Sequence, residues 1–453
     1  MAQGNPGLQK GAMFMAGLTL LQSLRVALTG AKFALDRFKI PQQYASSFIN
    51  MVHNLMELAT FTGMAIVNIT ALIKEHNDED SKKCFMRLAV FTNITLYSSL
   101  IILLIAFTSG GEQGNLTFYY WTIVLVSFVY GLNVAAVMNV GGADAAFFNV
   151  GIPLSGIQVC IYYYVFTKLA ERYKWSNVSY WIIYWQLIIA IVISFISAIV
   201  WIVYPAAAYG HGGGNGTGNE PAPAVASPIL MGMVGMGGIY AFYPAIAPYK
   251  LTDVGTGYTI DLVVLFVSAV PGIIIAILCD RGKGPNQEWS SAQWWHVTWI
   301  LAIPHLTAMI LCLCTLHYPG GRLASSIKSS GLKVGVITVT LKFCEESLKA
   351  VSYAGGGAYK SPIPAVNAFL SQGLMIILAF TGDGYLKTYS KYEHDRSKWP
   401  TKDFGFWKSL GYWTGSGMKV ACKSVKSSFT TNVRCKVLGK SEALLIVYED
   451  QEF

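Results

Sequence analysis

Long apolar runs follow one another along this 453-residue chain, and most are long enough to cross a membrane as a helix. About 20 apolar residues in a helix span the hydrocarbon layer of a bilayer. Helices also satisfy their own backbone hydrogen bonds, and an unbroken run such as Leu187 to Val203 does not alternate as a barrel strand would. The pattern predicts about eleven spans, at residues 11–30, 48–73, 84–108, 116–139, 146–169, 180–204, 228–249, 259–279, 295–316, 331–353 and 363–382.

The composition agrees with a chain that lies mostly in lipid. Hydrophobic residues make up 53% and charged residues 13% of it, against roughly 25% charged residues in ordinary globular proteins. Tryptophan and tyrosine cluster at predicted span ends, as at Tyr119 to Trp121, which is typical of the membrane interface. We therefore expect an integral, multi-pass protein, in the plasma membrane or in an internal membrane.

A glycine- and proline-rich stretch divides the spans into six before it and five after it. The predicted organisation is a six-helix half at 1–204, a loop at 205–227, a five-helix half at 228–385 and a basic tail at 386–453. Lysine and arginine mark cytoplasmic loops, so the basic tail predicts a cytoplasmic C-terminus. An odd number of spans then places the N-terminus outside. Lys82, Lys83, Arg281 and other basic residues fall on the outer side and oppose this orientation.

The tenth predicted span carries four ionisable side chains on one helical face: Lys342, Glu345, Glu346 and Lys349. A charged group at mid-bilayer costs roughly 2.5–3.5 kcal/mol on insertion scales, so it usually faces a partner or a cavity. Lys342 with Glu346, and Glu345 with Lys349, have the i,i+4 spacing of helical ion pairs. Two interpretations remain open: a structural ion-pair stripe between helices, or a polar wall of a solute pathway.

The second span shows a similar face, formed by Asn50, His53, Asn54 and Glu57. These side chains could join helices through hydrogen bonds. Alternatively, His53 and Glu57 could bind a polar solute or carry a proton. Arg25 in the first span is a further ionisable residue inside an apolar segment. The simplest interpretation is that its long side chain extends towards the membrane–water interface.

Three features resemble the equilibrative nucleoside transporter family. They are the six-plus-five division, Tyr243-Pro244-Ala245-Ile246 in the seventh span, and Gly151 to Ser155-Gly156 opening the fifth span. The chain departs from the family in its uncharged central loop and its basic tail. The resemblance implies nucleosides or nucleobases as substrates. A second resemblance, to multi-transmembrane Tpr-related proteins of piroplasm parasites, implies no function.

The predicted fold is therefore an all-α, polytopic transmembrane bundle of about eleven spans in six-plus-five halves, major-facilitator-like. We expect a carrier that moves a small polar solute by alternating access between the halves. The sequence contains no phosphate-loop, HExxH or GxSxG motif, so we expect no enzyme, no cofactor and no metal site. The expected partners are the solute and the lipid bilayer, with no nucleic acid. The alternative is a membrane-anchored scaffold or surface-interaction protein. The predicted substrate contacts are His53, Glu57, Gln158, Lys342, Glu345 and Glu346.

Overall fold

Most of the described chain is helical. In the computed structural model, the described residues are 5–28, 30–41, 44–73, 79–208, 223–290, 293–393 and 395–438, and they contain no β-strand. Most of the predicted central loop, at 209–222, lies outside the described residues. The α-helices are α1 (Pro6–Leu20), α2 (Gln22–Leu28), α3 (Ala31–Arg37), α4 (Ala45–Ile73), α5 (Glu79–Thr108), α6 (Leu116–Gly141), α7 (Ala145–Tyr173), α8 (Val178–Ala208), α9 (Ala226–Gly237), α10 (Ile239–Phe242), α11 (Val254–Asp280), α12 (Ala302–His317), α13 (Arg322–Lys328), α14 (Gly331–Gly356), α15 (Ile363–Ser390), α16 (Phe406–Ser428) and α17 (Val433–Leu438).

Each of the predicted spans overlaps one or more helices. Seven stretches of the described chain are long and apolar enough to cross a bilayer. One of them, Leu116–Tyr173, contains both α6 and α7, which meet at a short 3₁₀ turn. Among the other predicted spans, the first is broken into short helices, the seventh is shorter than the others, and the tenth, α14, carries the four ionisable residues Lys342, Glu345, Glu346 and Lys349. The chain is thus a multi-pass membrane protein, as its sequence predicts.

The first span differs from the prediction of one continuous helix, and the helical part of the seventh span ends early. The first is split into α1 and α2 at Leu21, and α3 follows it directly. In the seventh, α10 ends at Phe242 because Tyr243 is extended, with φ −113° and ψ 135°. Pro244 follows, and the residue before a proline is disfavoured in helical conformation. By contrast, α11 continues through Pro271 without a break.

The helices before and after the central loop form two groups. In the first group α1 packs on α7 and α8, while α6 packs on α4 and α5. In the second group α14 packs on α9, α11 and α12, and α15 packs on α9. The two groups meet through α7 with α11 and through α4 and α6 with α15. The helices before and after the central loop therefore pack mainly among themselves and meet along a shared interface.

Glycine allows the tightest contact between α1 and α7. A Cβ atom at Gly17 would lie 2.0 Å from the carbonyl oxygen of Phe148, and one at Gly151 would lie 2.6 Å from that of Phe14. Neither position has room for a side chain. Small residues at crossing points let helix backbones approach in membranes, where dispersion and close packing hold helices together. Gly151, which belongs to the family-like motif, therefore serves the packing of the first half.

The start of helix α1 and the C-terminal tail lie at opposite ends of the bundle. Lys10 Nζ lies 2.5 Å from Asp280 Oδ1 at the end of α11. Just before α11 begins, Lys250 pairs with Glu393 after α15, at 2.8 Å. The tail therefore lies at the end where α11 starts, as an odd number of spans requires.

A cysteine-labelling experiment tests the predicted cytoplasmic side of this tail. Cys422 in α16 and Cys84 near the start of α5 are exposed cysteines, and helix parity places them at opposite ends of the bundle. In single-cysteine variants of intact cells, an impermeant maleimide should label Cys84 and spare Cys422, which should react only after permeabilisation. The reverse pattern would place the tail outside.

Candidate functional site

A cavity of about 410 Å³ lies between the two groups of helices. Residues from α2, α4 and α7 line it on one side, and residues from α11, α14 and α15 line it on the other. Ligand sites of small molecules are cavities of comparable size, roughly 300–1,000 Å³, with a few polar groups on a mainly apolar lining. Both faces that were predicted from the sequence reach this cavity.

The four ionisable residues of α14 form a closed ion-pair network on the cavity wall. Lys342 Nζ lies 2.6 Å from Glu345 Oε2 and 3.1 Å from Glu346 Oε1. Lys349 Nζ lies 2.6 Å from Glu346 Oε2 and 3.5 Å from Glu345 Oε1. The predicted i,i+4 pairs are present, and the i,i+3 pairs are the shorter ones. The two glutamates are buried, with side chains 3% and 5% exposed, so the network is balanced within one helix.

The predicted face of α4 forms the facing part of the wall. Asn50, His53, Asn54 and Glu57 all line the cavity. His53 Nε2 lies 3.5 Å from Glu57 Oε1, and the Glu57 side chain is only 12% exposed. Asn54 turns to the tail, where its Nδ2 donates to Ser424 Oγ at 3.3 Å. The second and tenth spans thus bring their polar faces to one cavity.

Gln158 is the exception among the predicted contacts. It is not a lining residue of this cavity. Its Oε1 instead accepts a hydrogen bond from Gln22 Nε2 at 3.1 Å, which joins α7 to α2. Of the six residues predicted to contact the substrate, five line the cavity, and Gln158 links two helices of the first half.

The break in the seventh span places an aromatic ring beside the α14 network. Lys342 Nζ lies 5.8 Å from the centre of the Tyr243 ring, within reach of a cation–π contact. Tyr243 and Tyr249 also donate hydrogen bonds to Asp261 of α11. The first three residues of the family-like motif, Tyr243, Pro244 and Ala245, therefore line the cavity, just after α10 ends.

Several polar residues of the cavity were not singled out from the sequence. Asp261 lines it from α11, and its Oδ1 is buried without a hydrogen-bond partner. On α15, Gln372 Nε2 donates to the Tyr353 hydroxyl at 3.3 Å. An ionisable residue within a membrane span is a signal by itself, and that signal would have identified Asp261. The tyrosines carry no such signal, because buried tyrosines are common in apolar cores.

The tail helix α16 packs on α15 and α4, which belong to different groups and both line the cavity. Ser424 Oγ accepts from Asn54 on α4 and, at 2.9 Å, from Lys387 Nζ on α15. A Cβ atom at Gly384 of α15 would lie 1.9 Å from the Gly417 carbonyl oxygen, so α15 and α16 touch through their backbones. The prediction of a tail from residue 386 missed this packing, and α15 itself continues to Ser390.

Beyond α16, the chain continues along the first group of helices. The Tyr120 hydroxyl donates to the Ser428 carbonyl oxygen at 2.8 Å, and Trp121 Nε1 donates to that of Thr430 at 3.0 Å. Arg434 Nη2 donates to the Phe38 carbonyl oxygen at 2.6 Å. The tail is therefore fastened to both groups at this end of the bundle.

Comparison with solved structures identifies the fold. The chain superimposes on the proton:xylose symporter XylE of the major facilitator superfamily, bound to 6-bromo-6-deoxy-D-glucose, with a TM-score of 0.54 and 11% identity; the match covers 93% of this chain and 95% of the other. A bacterial homologue of the iron transporter ferroportin in an outward-facing state matches with a TM-score of 0.48 and 10% identity, over 92% of this chain and 97% of the other. The major facilitator superfamily transporter FucP in the outward conformation matches with a TM-score of 0.44 and 12% identity, over 82% of this chain and 97% of the other.

At 11% identity the likeness to XylE shows a shared fold. No protein-family model matches the sequence, and neither does any curated protein. The major-facilitator-like fold predicted from the sequence is thus confirmed. The resemblance to equilibrative nucleoside transporters continues to rest on the sequence features that carry it.

Proposed function

We propose that this protein is a membrane carrier that moves a small polar solute through the cavity between its two helical groups. The observation that carries the proposal is the position of the polar faces of α4 and α14. Both lie on the wall of one cavity at the interface between the groups. A scaffold whose helices only anchor it has no need of a polar cavity inside its bundle, because buried polar groups oppose membrane insertion.

The mechanism that fits this arrangement is alternating access by movement of one group of helices against the other. A solute bound between the groups would contact His53 and Glu57 on one side and the α14 network on the other. Separation of the two groups at the end where α16 lies would require this helix to part from α4 or from α15, because Ser424 bonds to both. The tail is then part of the moving structure.

Nucleosides or nucleobases are the substrates we propose, and the Tyr243-Pro244-Ala245-Ile246 resemblance supports this choice. Such solutes are neutral and rich in hydrogen-bonding groups. Entering an apolar cavity would remove their water without replacement, so their binding needs polar wall groups. The carboxylates of Glu57 and Glu345 and the imidazole of His53 can accept or donate such bonds. The cavity of about 410 Å³, with these polar groups on its wall, falls within the size range of small-molecule sites.

Uptake into proteoliposomes tests the proposal. Purified protein should take up radiolabelled adenosine or hypoxanthine in a saturable manner, and excess unlabelled solute should compete. Protein-free liposomes provide the background. If neither these solutes nor a wider panel of nucleosides and bases is taken up above that background, the nucleoside proposal is wrong. Saturable uptake of another polar solute would retain the carrier and change its substrate.

A further inference from the structure

Arg25 is a cation at membrane depth that the ion-pair network does not include. It lines the cavity from α2, and its Nε is buried without a hydrogen-bond partner. Among the residues that the structure describes, no carboxylate forms an ion pair with it. Lys342 and Lys349, in contrast, are each held by two glutamates. An unpaired charge within a span is by default a sign of a functional site.

The guanidinium group lies where the two groups of helices meet. A Cβ atom at Gly156 on α7 would lie 2.8 Å from Arg25 Nη2 and 3.1 Å from Leu265 Cδ1 on α11. Gly156 therefore leaves the space that the guanidinium occupies between α7 and α11, near the middle of both helices. The sequence analysis expected the Arg25 side chain to extend to the membrane interface, and this expectation is wrong. The guanidinium instead lies at the interface of α7 and α11, beside the cavity.

The chemistry of arginine restricts what can bind there. A guanidinium carries five N–H donors in a planar fork and no acceptor. A partner that matches this fork presents two acceptors side by side and no donor. Among nucleosides, the 6-oxopurine edge does this through O6 and N7, and arginine bonded to both is the commonest specific contact to guanine. The 6-aminopurine edge offers N7 beside an N–H₂ donor, which would face the N–H groups of the fork.

We propose that Arg25 binds the O6/N7 edge of a 6-oxopurine nucleoside and thereby selects inosine and guanosine over adenosine. This inference rests on the proposed nucleoside transport and specifies its substrate class. Asp261, with its unpartnered Oδ1 on the opposite wall, provides an acceptor for an N–H or O–H donor of the same solute. Together they supply one donor pair and one acceptor on walls that belong to different helical groups.

Competition between two nearly identical nucleosides tests the selection. Inosine and adenosine differ at the 6-position and in the protonation of N1. A bidentate pair discriminates by about 1–3 kcal/mol, which is about 5- to 150-fold. Unlabelled inosine should therefore inhibit uptake of labelled guanosine at a concentration at least about fivefold lower than adenosine does. Equal inhibition by the two in the wild-type protein would overturn the inference, while saturable uptake would leave the carrier proposal intact.

Two variants and one anion complete the experiment. Arg25→Lys keeps the charge but loses the planar fork, so the preference for inosine should fall towards equality. Arg25→Gln should weaken inosine more than adenosine. Lys168→Gln removes an exposed cation that pairs with Glu171, and it should leave the preference unchanged. If benzoate inhibits as strongly as inosine, Arg25 binds an organic anion and the purine assignment is wrong. If no nucleoside is taken up at all, both the carrier substrate and this inference fail.

Discussion

Lys342→Met should sharply destabilise the protein, and adding Glu345→Gln should restore most of the loss. The single change leaves two buried carboxylates with only Lys349 between them. Removing one member of a buried ion pair costs about 3–5 kcal/mol, because the remaining charge is stranded. The double change removes the 2.6 Å Lys342–Glu345 pair as a unit and leaves the 2.6 Å Glu346–Lys349 pair intact.

Thermal unfolding in detergent, followed by size-exclusion fluorescence, measures this difference. Lys168→Met provides the matched control, since it breaks an exposed i,i+3 pair and such pairs contribute at most about 1 kcal/mol. If the single and double variants are equally stable, or if their effects simply add, the α14 charges reach water independently. The closed network described above would then not exist in the membrane.

Glu57→Leu should abolish uptake, and Glu57→Gln should retain it with a changed KM. The Glu57 carboxylate lines the cavity beside His53. Glutamine keeps the size and part of the hydrogen bonding, whereas leucine removes every polar atom from the site. Hydrogen bonds to charged groups contribute about 1.5–3 kcal/mol, so a KM increase on the order of tenfold or more is expected for glutamine.

Folding must be separated from binding in this comparison. Both variants should elute as a single folded species, because leucine is well tolerated on an intramembrane wall and only the His53 imidazole loses the Glu57 carboxyl as a neighbour. Glu171→Gln, an exposed change near the end of α7, serves as the control. Normal uptake by folded Glu57→Leu would remove this residue from the solute pathway and leave it with a role in packing.

The extent to which the sequence predicted this molecule differs between its parts. Apolar runs located the spans because membrane helices need length and hydrophobicity, both of which are local properties. The face of α14 was predictable for the same reason: Lys342, Glu345, Glu346 and Lys349 repeat with helical spacing. The break at Leu21 was missed, because no proline or glycine flanks it closely to mark the end of α1.

Contacts between residues far apart in the sequence could not be predicted from the pattern of apolar and polar positions. That Gln158 turns to Gln22 while Glu57 turns to the cavity depends on which helices are neighbours, and spacing along the chain carries no such information. The same holds for α16. Its lysines predicted a solvated tail, yet the Gly384–Gly417 contact brings it onto α15. Asp261 was within reach of the sequence, since it is an ionisable residue within an apolar span.

The central claim is that the cavity carries a solute across the membrane by exposing it to one side at a time. Counterflow measures this directly. Proteoliposomes are loaded with unlabelled inosine, diluted into labelled inosine, and the label inside is followed with time. In an alternating-access carrier, the binding site reorients across the membrane more readily with solute bound than without. We therefore expect labelled inosine to accumulate transiently inside above its equilibrium level. Uptake that is the same with and without internal inosine would contradict alternating access, and no uptake in either condition would contradict inosine transport itself.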